Sequence, residues 1–207
     1  MSESAAFEET YRGYLARIGT VDLRAACNRL GAEAETDGLV VPLFGEPHRV
    51  GPAGVFDPDG RRPHLSVCVI LCRYVLLCPP SAPSGVDWTS FKDFRDAAPL
   101  VGSFAGTVEG AISRSFAGRT NALRRAAAGL GGQAPPGSFS HDVAITIPAL
   151  PKVPLLLLFN DADDEFPAAC SVLFERRAAG HLDMECLAML GMQLARRLAS
   201  ACGTGTQ

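Results

Sequence analysis

Few side chains in this chain stand where chemistry could start. His181 follows Gly180 in a loop just ahead of the last helical segment. The positive end of a helix dipole disfavours added positive charge, so an imidazole there is expected to stay neutral. A neutral ring can ligate a metal or a tetrapyrrole-type cofactor, accept a proton, or simply bond its own loop. Asp161, Asp163, Asp164 and Glu165 place four carboxylates in five residues. Oxygen ligands of that kind suit a hard cation, but the spacing departs from the twelve-residue EF-hand frame, and a solvated hairpin turn explains it better. Asp163 or Glu165, followed by Phe166–Pro167 expected to be buried, could instead orient His181. Such a carboxylate–imidazole pair fixes the ring's tautomer and raises its basicity.

His64, Cys68 and Cys72 are spaced i, i+4 and i+8 along one helix face. His64 and Cys68 could share an ion. Cys72 lies about 12 Å from His64 along the axis, so one ion cannot take all three. The surrounding LSVCVILCRYVLLC is apolar, so buried structural cysteines are the better reading. Arg73 inside that run must snorkel, pair or face a polar cavity. An anionic ligand, a carboxylate of the acidic turn or a plain salt bridge would each satisfy it. Gly102–Gly106 (GSFAG), with Arg114, Phe116 and Arg119 beyond it, could offer backbone amides to an anion, or mark close packing alone. The patterns GxGxxG, GxxxxGK[ST], GxSxG, HExxH and HxE…PCxxC are all missing from the sequence.

The elements that must position these residues follow from periodicity. Residues 5–30 read as a helix with a weak point at Gly19–Thr20 and a stop at Gly31. Short apolar runs broken by Gly and Pro over 38–56 fit a small meander of two or three strands. Asp57–Gly60 is a turn. A core helix over 64–78 ends at Pro79–Pro80, and a Pro/Ser/Gly loop follows to residue 90. Helical patterns recur around Phe104–Phe116 and Thr120–Leu130, and 131–139 form another loop. Strands are expected at His141–Ile147, at Val153–Phe159 as a strand buried on both faces, and at Phe166–Phe174. Asp183–Ala201 is an amphipathic helix with Asp183 as its N-cap. The expected fold is α+β: an antiparallel sheet, built from a C-terminal three-stranded meander and a small N-terminal meander, covered by helices.

The chain has 207 residues, 47% hydrophobic and 20% charged, with a formal charge of −3. Roughly 70% of an extended chain of this size can be buried on folding, enough for a core without staples. The charge balance gives no reason to expect nucleic-acid binding. The most apolar run, Leu65–Cys78, is shorter than the ~20 residues of a membrane span. The acidic N-terminus lacks the pattern of a secretory signal. Seven cysteines without a CxxC pair read as reduced thiols, so a cytoplasmic location is expected. With neither repeats nor a long linker, residues 1–207 read as one domain: a helix and small meander over 1–60, then an α+β core over 61–200.

Three segments carry a resemblance: TSFKDFRDAAPLVGSFAG (89–106), LPKVPLLLLFNDADDEFPAACSVLF (150–174) and AAGHLDMECLAMLGMQLARRL (178–198). In order and spacing they resemble the prokaryotic "domain of unknown function 3786" family over residues 60–200, more weakly before that. The resemblance implies an anaerobic setting. Some relatives carry an extra four-cysteine iron–sulfur domain that this chain lacks. It supplies no reaction, and it marks Pro154, Asp163, Glu165, Phe166, Pro167, His181 and Gly191 only as family-pattern positions. With the residue reading, it implies a small-ligand or cofactor-binding protein of anaerobic redox or one-carbon metabolism. The candidate ligand contacts are His181, Asp163, Glu165, Arg73 and Phe166. A tetrapyrrole such as heme or a corrinoid is the first cofactor to test, and His181, His64 and Cys68 are the metal-ligand candidates. The alternatives are an enzyme using His181 with Asp163 or Glu165 as an acid–base pair, and a protein-interaction module without chemistry.

Overall fold

Residues 3–81 and 83–203 are described by a computed structural model of the chain. Two helices, α1 (Glu3–Ile18) and α2 (Leu23–Leu30), take the place of the single helix expected over 5–30. The break falls at the weak point, Gly19–Thr20. Asp22 then caps α2 by accepting the Ala25 N–H at 2.9 Å. Gly31 stops α2 in the left-handed region at φ +66°. A Cβ there would also lie 2.8 Å from Pro151, so the stop requires glycine on two counts.

Four short strands follow: β1 (Glu33–Glu35), β2 (Gly38–Leu43), β3 (Glu46–Gly51) and β4 (Gly54–Phe56). They form an antiparallel sheet in chain order. The expected meander of two or three strands lacked β1, whose three residues are all exposed and carry no apolar period to read. Leu39, Val41, Leu43, Val50 and Val55 are buried in the core. His64 caps α3 (Leu65–Leu76), which is buried over most of its length and ends ahead of the two prolines.

The second sheet contains β5 (Trp88–Ser90), β6 (Val143–Leu150), β7 (Val153–Asn160) and β8 (Ala169–Glu175), in the antiparallel order β5-β8-β7-β6. β5 lies inside the segment expected to be loop, and three residues are too few to show a period. Val153–Phe159 runs down the middle with five consecutive buried residues, Leu155 to Phe159. The third strand begins at Ala169 and not at Phe166, because Asp163 Oδ1 accepts the N–H groups of Glu165 and Phe166 at 2.9 and 2.7 Å and holds that stretch as a turn. Phe166, expected to be buried, is 66% exposed at its tip. The sheets are joined by the Phe44 N–H donating to the Ala149 carbonyl at 2.8 Å, and their apolar residues form one continuous core.

Between β5 and β6 lie α4 (Val101–Phe104), a π-helical turn (Ala105–Glu109), α5 (Gly110–Phe116) and α6 (Thr120–Gly129); α7 (Met184–Gly203) closes the fold. α7 packs on α3, α5 and α6. No helix among the described residues is long and apolar enough to cross a membrane. At the crossing of α7 with α4, a Cβ on Gly191 would stand 2.5 Å from a ring carbon of Phe104. Gly191→Ala must therefore push the helix or the ring aside, at an expected cost of about 1–3 kcal/mol. Urea unfolding should show that loss, whereas Gly129→Ala, with nothing near its Cβ, should be stable or slightly stabilised.

Candidate functional site

The structure separates the residues that sequence patterning grouped. His181 caps the 3-10 turn Arg176–Gly180 and is 2% exposed. Its ring tilts against Tyr74, with centroids 5.9 Å apart. Nδ1 is buried without a hydrogen-bond partner. Burial, reinforced by the charges of Arg177 and Lys152, lowers its pKa to about 4. The ring is therefore neutral, as the dipole argument expected, but chiefly because it is out of water. Asp163 and Glu165 precede β8 and His181 follows it. Seven strand residues at about 3.3 Å each put roughly 23 Å between the two ends, so neither carboxylate orients the imidazole. The acidic turn is occupied with its own backbone. Besides the two bonds of Asp163, Asp161 Oδ1 accepts the Gly118 N–H at 2.7 Å.

Arg73 meets Asp183 and not the acidic turn. Its Nε donates to Asp183 Oδ2 at 2.8 Å and a second guanidinium nitrogen donates to the same oxygen. Asp183 Oδ1 meanwhile accepts the Cys186 N–H at 2.9 Å, which makes it the cap of α7. Beside this pair lies a cleft of about 440 Å³ lined by Asp96, Gly180 and Glu185 among others, and His181 does not line it. The Arg73 charge is already answered there and the remaining side-chain charges are carboxylates, so the cleft offers no free cation to an anionic ligand. His64 Nδ1 accepts the Ser66 N–H at 3.3 Å and sits 2.9 Å from Ser66 Oγ. The Cys68 thiol donates to the Pro63 carbonyl at 3.5 Å. Among the described residues no three His, Cys, Asp or Glu converge as metal ligands would. A tetrapyrrole does not fit His181 either, because an axial ligand must present its nitrogen to an open face, and this ring is covered.

The chemistry gathers elsewhere, where β5 stops. Ser90 is the last β5 residue paired to β8, opposite Leu173. Beyond it the chain turns away in a 3-10 turn, Phe91–Asp93, leaving the edge of β8 from Ala169 to Val172 without a neighbouring strand. The π-helical turn comes alongside, and Glu109 Oε1 accepts the Val172 N–H at 3.1 Å. A carboxylate thus stands where a strand carbonyl would be. Around it is a notch of about 150 Å³ lined by Ser90, Phe91, Lys92, Phe104, Glu109 and Ser171, among others. The Phe91 and Phe104 rings stack at 4.3 Å to form its apolar wall. Burial raises the Glu109 pKa, against the pull of the Val172 bond and the Lys92 charge. A desolvated carboxylate in a cleft, on a π-turn, is the pattern of a functional site. Sequence reasoning missed it. The signal was present: Glu109 shares a helix face with Ala105, Ile112 and Phe116, a carboxylate on an apolar stripe.

The family model described as Domain of unknown function (DUF3786) matches residues 22–197. The chain belongs to that family, and the match begins well before residue 60, taking in α2 and the whole first sheet. None of the curated proteins and none of the solved structures compared with the chain matches it.

Two measurements check the roles assigned above. Asp183→Asn keeps an acceptor for the cap but loses the ion pair and should cost about 1 kcal/mol in urea unfolding, whereas Asp183→Ala also strands Arg73 and should cost about 2–3 kcal/mol. For His181, the unfolded chain takes up a proton near pH 6.5 and the folded one only near 4. Stability is therefore lost as pH falls from 6.5 and levels off below 4, by about 3 kcal/mol. His181→Leu should remove that component, so the stability difference between variant and parent should move toward the variant across this window.

Proposed function

We propose that the protein binds a small ligand, and that its site is the notch at the end of β5. One observation carries the reading: Glu109 holds a half-buried carboxylate with one oxygen bonded to Val172, in a notch also lined by Lys92, which has no salt-bridge partner among the described residues. The Lys92 charge acts on Glu109 without an ion pair between them, so one small notch carries both signs of charge. Two serine hydroxyls and two stacked rings complete the mixture of few polar groups on apolar walls that ligand sites use. At about 30 Å³ per water, the notch has room for about five waters, which suits a metabolite of a few heavy atoms and not a heme or corrinoid. The seven thiols fit a reducing compartment, and the reading places the protein in the cytosol.

The Val172 amide reports directly on this site. A nitrogen–proton correlation spectrum should show saturable shifts at Val172, Ser90 and Ser171 when a panel of small acids, amines, alcohols and amino acids is added. Ala105→Leu, which fills the notch, should abolish them. Hemin or cyanocobalamin shifting these amides, or no small compound doing so, overturns the reading.

A further inference from the structure

We infer that the ligand of the notch is a small zwitterion, an amino acid about the size of glycine, alanine or β-alanine, held with its ammonium on Glu109 and its carboxylate on Lys92. This rests on the reading of the notch as a ligand site. A purely anionic ligand of this size would place its charge against Glu109, and a purely cationic one would meet Lys92. A neutral apolar ligand would seal the carboxylate in without a counter-charge, which is costly. A molecule carrying both charges answers both side chains within so small a cavity.

The backbone agrees with this polarity. The Val172 N–H points out of the sheet toward Glu109. In an antiparallel strand, outward-pointing residues alternate, so Cys170 turns its N–H and C=O to the same unpaired edge. Ser90 and Ser171 hydroxyls can serve either group. The stacked Phe91–Phe104 wall bounds a notch of about 150 Å³, a volume that suits an amino acid with a small side chain.

The test compares each zwitterion with its halves. Calorimetry and the Val172 amide shift would be followed for glycine, alanine and β-alanine, then for acetate, propionate, methylamine and ethylamine, with phenylalanine as the oversized control. At least one of the three amino acids should bind at least tenfold more tightly than any half, and phenylalanine should not bind. Glu109→Gln retains an acceptor for the Val172 N–H, so it should fold with an unchanged unfolding midpoint, yet lose amino-acid affinity tenfold or more. Lys92→Gln, an exposed change, should do the same. If acetate or ethylamine binds as tightly as the amino acids, the ligand class is wrong while the notch stands as a site. If no compound shifts Val172, both readings fall.

Discussion

Arg73 reaches from the apolar flank of α3 to the first turn of α7, and much of the rest follows from that half-buried pair. Its partner Asp183 caps α7 with the same carboxylate, so a single group fixes where the helix begins and which way it leaves α3. That start point sets the register along α7. Eight residues on, Gly191 lets Phe104 lie against the helix backbone. Phe104 then stacks on Phe91 and walls the notch. The pair is a positioning device whose effect is felt about two turns along the helix.

The burial of β7 on both faces is the second constraint. A strand with Leu155 to Phe159 all out of water needs neighbours on either side and cover above and below. β6 and β8 supply the first. Because β8 is longer than β5, one stretch of edge is left over, and the π-turn brings Glu109 to it. The site is a by-product of unequal strand lengths.

Much of the architecture was legible in the sequence, and particular residues show why. The seven-residue apolar run at 153–159, the Asp183 cap and the Gly31 stop each act locally, so pattern alone located them. β1 and β5 were illegible because three residues have no period, and the partner of β5 lies more than eighty residues away. Phe166 was misread as a buried strand start, whereas Asp163 had already turned the chain. The site was harder still. His181 and the acidic turn drew notice as reactive types in loops, yet the first faces the core and the second bonds its own backbone. Glu109 carried the same signal as Arg73, a charge on an apolar helix face. Its importance depends on a strand edge contributed from more than sixty residues away, which no local spacing records.

The Glu109–Val172 bond has a consequence for how copies of the molecule behave toward one another. An unpaired strand edge is a template onto which a neighbouring chain can add a strand, and exposed edges invite sheet-to-sheet association. Here an incoming strand would have to displace a carboxylate from the Val172 N–H and then bury that charge beside its own backbone. The same carboxylate that shapes the notch therefore shields the unfinished edge of the sheet against self-assembly.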